Sequence, residues 1–198
     1  MKRLHLRTLV GAALFAGLAA CSGNSGGDLT KPGNDLTYLH IAQTAPPLCA
    51  DSVGGWAVKG GTNFELALIF GTISHPCPDG RDFLRLKIET EGLQSLPNGT
   101  PIATGDSVFI SVIWAGGDSV LFRLEPSGLV LNPSNPAELR INYGETEESE
   151  DENVLRQVAI WRQELPGDPF TRLSSTRHED SSEFETRLNG FSRYAIAY

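Results

Sequence analysis

The chain has 198 residues, with 24 acidic side chains against 16 Lys and Arg and a formal net charge of −8. That acidity excludes nucleic acid as a partner and excludes attachment to an anionic membrane surface by charge, since both would be repelled. With 40% hydrophobic residues, the length suffices for one domain with a proper core.

The first segment in chain order is built for export rather than for folding. Lys2, Arg3 and Arg7 make a basic start, and residues 9–20 (LVGAALFAGLAA) form an apolar run too short for a stable membrane span. The run ends Leu18-Ala19-Ala20-Cys21, which resembles a bacterial lipoprotein lipobox. Small Ala19 and Ala20 fit a narrow peptidase cleft, and the cysteine thiol is the nucleophile that accepts diacylglycerol. The expectation is a signal peptide over residues 1–20, lipidation with palmitate-like acyl chains at Cys21, and membrane attachment through that lipid. More than one acyl chain makes such attachment stable rather than marginal. Ser22 follows, where an aspartate would resemble an inner-membrane retention signal, so the expected location is the bacterial outer membrane or cell surface. Residues 21–34 (CSGNSGGDLTKPGN) are rich in Gly, Ser and Asn, and predict a flexible tether. The domain is expected over residues 35–198.

Assigning Cys21 to lipid leaves Cys49 and Cys77. An even pair in an exported chain predicts a disulfide, closing a loop of roughly thirty residues and adding about 3 kcal/mol through the unfolded state. The alternative, a metal held with His75, falls short of the usual four-ligand set.

Residues 35–45, with Leu36, Tyr38, Leu39 and Ile41, fit either a short strand or a helical turn. From Trp56 onward the pattern is β. Strands are expected over 63–70, 82–89, 107–114, 119–124, 138–143, 155–161, 183–188 and 194–198. In the second of these Leu84, Leu86 and Ile88 alternate with Arg85, Lys87 and Glu89. Pro97-Asn98-Gly99, Gly116-Gly117-Asp118, Pro126-Ser127-Gly128 and Pro166-Gly167-Asp168 supply the turns. Many short strands with period-2 alternation and no long helix predict an all-β chain: an antiparallel, immunoglobulin-like β-sandwich.

Three stretches carry a resemblance: residues 84–110 (LRLKIETEGLQSLPNGTPIATGDSVFI), 121–143 (LFRLEPSGLVLNPSNPAELRINY) and the closing FSRYAIAY. In that order they resemble the β-sandwich domain of ankyrins, netrin receptors and zonula occludens proteins, as it occurs in bacterial exported lipoproteins. The chain departs from that pattern at Glu89-Thr90-Glu91-Gly92-Leu93, where Ile-Pro-x-Gly-Ala-Leu is usual, and at Gly190, where His is frequent. Some relatives cut themselves between Phe and Ser of His-Phe-Ser. The resemblance therefore raises Phe191-Ser192 as a self-cleavage site, although Gly190 supplies no imidazole to activate the hydroxyl. The bland expectation is that Phe191 and Tyr194 pack into the sandwich, that residues 194–198 form its final strand, and that Tyr194, Ile196 and Tyr198 share one face opposite Ala195 and Ala197.

Other candidate chemistry is sparse. No His-Glu-x-x-His and no phosphate-cradling glycine loop is present, and His40, His75 and His178 are isolated. Residues 145–152 (ETEESEDE) place six carboxylates in eight positions. They lack the alternating ligand order of a calcium loop and predict a solvated segment held open by its own repulsion. Trp56, Trp114 and Trp161 could form a glycan platform, but the latter two sit in apolar alternation. The functional expectation is a non-catalytic interaction or structural module without a cofactor, with a protein or glycan partner at the cell envelope. A glycan- or calcium-binding module and a self-cleaving domain are the alternatives.

Overall fold

The computed structural model describes residues 29–72, Cys77 and residues 80–198. The expected signal peptide, Cys21 and His75 lie outside the described residues. In chain order the strands are β1 (Thr30–Lys31), β2 (Ser52–Val58), β3 (Phe64–Phe70), β4 (Arg81–Ile88), β5 (Leu93–Ser95), β6 (Ser107–Trp114) and β7 (Leu121–Glu125). They continue with β8 (Val130–Leu131), β9 (Ala137–Asn142), the short helix α1 (Glu152–Leu155), β10 (Ala159–Gln163), β11 (Phe170–Arg172), β12 (Ser175–His178), β13 (Glu183–Leu188) and β14 (Arg193–Ala197).

These strands form the antiparallel sandwich that the alternation predicts. Among the described residues, one sheet runs β1-β11-β10-β14-β7-β6-β2, the other runs β12-β13-β9-β4-β3, and β5 pairs with β8 beside them. Alternation decides which side chains meet between the sheets. Leu84, Leu86 and Ile88 of β4 and Val108, Ile110 and Val112 of β6 belong to one apolar cluster, while Arg85 and Lys87 stay partly exposed. Each such fully buried aliphatic side chain stabilises the fold by roughly 1.5–3 kcal/mol over its exposed state. The predicted turns fall where expected, with positive φ at Gly99, Gly117, Gly128 and Gly167.

A second, smaller core lies on the outer face of the seven-stranded sheet, where Trp161, Phe170, Ala195 and Ala197 pack with Leu36 and, at its margin, Tyr38 and Leu121. The chain just before the domain covers it. Thr30 pairs with Thr171 and Lys31 with Phe170, and the Lys31 ammonium sits 5.6 Å from the Trp161 ring centre. Residues 30–34, expected as part of a flexible tether, therefore belong to the fold. An apolar face this rich in aromatic rings requires a cover, and residues 30–38 provide it. They continue into bridges from Tyr38 to Ala197, His40 to Ser119 and Ile41 to Thr146.

Two strand expectations shift. Residues 155–161 divide into helix and strand, because the Asp151 carboxylate accepts from the Asn153 and Val154 N–H groups and starts a helical turn. The strand expected at 119–124 begins at Leu121, after Gly117 turns the chain.

Strand β14 lies inside its sheet, paired with β10 on one side and β7 on the other. Tyr194 and Ile196 enter the main core, and Ala195 and Ala197 the second. Ending the chain after Ser192 is expected to abolish cooperative unfolding in thermal circular dichroism. A truncated protein that keeps its melting temperature would refute this role for β14.

Candidate functional site

The Phe191-Ser192 bond is held from every side. Phe191 is fully buried. Its N–H donates to the Leu129 carbonyl (2.9 Å) and its carbonyl accepts from the Gly128 N–H (2.8 Å). The Gly190 carbonyl accepts from the Tyr194 hydroxyl at 2.6 Å, and the Ser192 carbonyl from the Leu124 N–H at 3.0 Å. The Ser192 hydroxyl oxygen itself accepts from Arg162 Nε at 2.9 Å. A guanidinium is always protonated and cannot take a proton from that hydroxyl. His178 is engaged elsewhere, 3.2 Å from Glu185 in the other sheet, and His40 lies 3.2 Å from Glu148. At Gly190 a Cβ would come 2.8 Å from the Leu129 carbonyl oxygen and 3.2 Å from an Arg162 terminal nitrogen. The histidine of the resembling pattern therefore has no room at this position. What the arrangement does is lock the entry to β14.

Beside this bond the outer face of the seven-stranded sheet carries a cleft of about 450 Å³. Register builds it. Gln163, Arg193, Arg123 and Ile113 form one row across β10, β14, β7 and β6. Glu125 and Ser127 close one side and Glu164 the other, with Ser192 in the wall. Arg123 and Arg193 are directly opposed, a pairing of like charges that destabilises a ladder unless something offsets it. Arg123 reaches Glu125 only at 3.9 Å. Arg193 donates over a long 3.4 Å to the Gln163 side-chain oxygen. Its Nε is the one buried side-chain nitrogen or oxygen without a hydrogen-bond partner among the described residues. Such an orphan donor costs about 1–3 kcal/mol. Chemically the cleft offers guanidinium groups to a ligand, with the Glu125 and Glu164 carboxylates at its margins.

A third feature lies further along the same face. Trp56 of β2 and Phe109 of β6 are paired in register and meet edge to face at 5.3 Å. They are 64% and 50% exposed, with Val58 beside them. The other two tryptophans are elsewhere. Trp161 is buried in the second core and donates from Nε1 to the Ala197 carbonyl. Trp114 packs against Phe83 and donates to the Gly117 carbonyl. The expected three-tryptophan platform thus reduces to Trp56, with Phe109 as a neighbour that sequence reasoning did not single out. The parity of β6 carried that signal, since Phe109 falls among the outward positions. Nothing comparable signalled Arg123 and Arg193, whose opposition depends on strand order.

The acidic stretch 145–152 is structured rather than held open. Glu145 pairs with Arg81 at 2.8 Å, Glu148 with His40 and Glu152 with Arg177 at 2.6 Å, while Asp151 caps α1. These partners lie in different directions, which separates the carboxylates. Among the described residues no group of three or more His, Cys, Asp or Glu is placed to hold a metal. Cys49 and Cys77 are joined as a disulfide, with Cα atoms 5.8 Å apart. A Cβ at Gly71 would lie 2.7 Å from Cys77 Sγ and 3.3 Å from Cys49 Sγ, so the bridge passes where only glycine leaves space. No protein-family model, no curated protein and no solved structure matches this chain.

Two outcomes are expected at the β14 entry. Gly190→His should lower stability by about 2 kcal/mol through overpacking and leave the Phe191-Ser192 bond whole. Intact-mass measurement checks this, and loss of the last seven residues would refute it. Burial pushes the Tyr194 phenol up to about 12, above the value of about 10 in an unfolded chain. The folded state keeps its proton while the unfolded state ionises, so this contribution is whole below pH ~10 and is lost as pH rises toward ~12. Denaturant titrations across that range should show wild type losing about 3 kcal/mol more than Tyr194→Phe. Equal losses would refute the assignment.

Proposed function

We propose that this chain is a bacterial envelope lipoprotein, anchored at the outer membrane or cell surface through lipid on Cys21, whose β-sandwich is a non-catalytic interaction or structural module. The basic start, the short apolar run and Leu18-Ala19-Ala20-Cys21 in register support the anchor. The net charge of −8 leaves lipid, not electrostatic attraction, to hold the membrane. The resemblance to the sandwich domain of ankyrins, netrin receptors and zonula occludens proteins supports a binding role.

The observation that carries the interaction reading is the exposed pair of Trp56 on β2, the outermost strand of its sheet, and Phe109 on the adjacent β6. Large aromatic side chains are enriched where surfaces engage partners. A glycan is the second reading, favoured by the open face of Trp56, on which a sugar ring can stack. Self-cleavage is the weaker alternative, because the Ser192 hydroxyl is held by a guanidinium.

Two measurements test this together. The protein from intact cells should partition into the detergent phase at the cloud point, and Cys21→Ala should move it to the aqueous phase. A wild-type chain that stays aqueous would refute the anchor. Titration with soluble cell-wall glycan fragments should quench tryptophan fluorescence, and Trp56→Ala should remove that response with the melting temperature unchanged. An equal response in wild type and variant would refute the glycan reading.

A further inference from the structure

We propose that the Arg123–Arg193 cleft is a binding site for a ligand bearing a terminal oxyanion group, a carboxylate or a phosphate, which would bridge the two guanidinium groups across β7 and β14. Five of the other arginines are closed by carboxylates. Arg81, Arg140, Arg162 and Arg177 each meet a carboxylate at 2.6–2.9 Å, and Arg85 is closed by Asp82 and Glu65. In an acidic chain such pairing is easy to arrange. Arg193 is not paired this way among the described residues, although it stands opposite another arginine and beside a cleft.

The local geometry explains what the open donors are aimed at. The Gln163 amide is fixed by its donation to the Asp168 carbonyl at 2.7 Å, so its oxygen faces Arg193 and holds that side chain in place. The two carboxylates in the cleft are engaged. Glu125 accepts from the Ser127 N–H at 2.6 Å, and Glu164 is paired with Arg162. The Arg193 Nε–H remains without a partner, shielded from bulk water. A planar guanidinium presents a fork that matches the two oxygens of a carboxylate or phosphate. A bound oxyanion would meet the two guanidinium groups where they line the cleft and offset their like charges. A volume of about 450 Å³ leaves room for more of the ligand than its acid group. Glu125 and Glu164 at the margins repel a second negative charge, so a singly charged carboxylate is favoured over a phosphate dianion.

The test uses the full chain in detergent, at constant ionic strength, with the arginine Nε–Hε resonances followed by NMR. The probes are a short peptide with a free C-terminal carboxylate, the same peptide as its C-terminal amide, and inorganic phosphate. The free-carboxylate peptide is expected to shift the Arg193 resonance to saturation and the amide to leave it unmoved. Saturation by phosphate alone would assign the site to phosphate and still support an oxyanion site. Arg193→Gln and Arg123→Gln should each weaken binding about tenfold. Arg193→Lys, which keeps the charge and loses the fork, should also weaken it, while Arg81→Gln should have no effect. The proposal is overturned if neither anion saturates the Arg193 resonance, if the amide binds as well as the acid, or if Arg193→Lys and Arg193→Gln, both folded, retain wild-type affinity.

Discussion

Strand β14 closes two cores at once, and the remaining features of the domain depend on that placement. Its inward residues Tyr194 and Ile196 complete the space between the sheets, and its outward Ala195 and Ala197 form the floor on which Trp161, Phe170 and Leu36 pack. Small residues are required on that floor. The register brings Trp161 directly opposite Ala195, and a larger side chain there would compete with the indole for one volume. The backbone after the strand is also used, since the Thr37 and Tyr198 main chains exchange hydrogen bonds at 3.0 and 3.1 Å. The segment leading into the domain is thereby held by its last strand, so the two ends of the folded unit stabilise each other.

The same placement governs the candidate sites. Because β14 lies between β10 and β7, Arg193 is set opposite Arg123 and next to Gln163. Because the chain enters β14 through a bond locked by Tyr194, Gly128 and Leu129, Ser192 is delivered to Arg162 rather than to a base. The outer face of the seven-stranded sheet thus changes character along its length. One end is apolar and covered by residues 30–38, the middle is a cleft lined by Arg123 and Arg193, and the far end is an exposed aromatic pair. The opposite sheet has no such gradient in its ionic contacts. Arg140 of β9 meets Glu138 and the Glu183 and Glu185 carboxylates of β13, a network of partly exposed pairs that fixes strand neighbours more than it adds stability.

How much of this was legible in the sequence depended on whether the decisive contact was local. Strands with clean alternation, such as β6 and β13, were readable with their boundaries because burial on one face alone dictates the period. The short strands β1, β5, β8, β11 and β12 were not, since runs of two to four residues carry no period and exist only through their partners. The tether misjudged at its end shows the same limit. Thr30 and Lys31 look like linker until Phe170 and Trp161 are placed beneath them. In the acidic stretch, mutual repulsion was a sound local argument, but Arg81, His40 and Arg177, distant in sequence, supplied a partner for each of three carboxylates.

By itself the sequence determined the β class, the turn positions carried by Gly117, Gly128 and Gly167, and the division of Tyr194 and Ile196 from Ala195 and Ala197. All of these follow from backbone sterics or side-chain period, which act within a few residues. Strand order was decided only in the tertiary structure, and with it the opposition of Arg123 and Arg193, the burial of Trp161, the exposure of the Trp56–Phe109 pair and the lack of space at Gly190. The physical reason is that a strand's own residues fix which face is apolar but not which neighbour it bonds. That choice is made by the fit of whole faces, after the chain has closed loops far longer than any local signal.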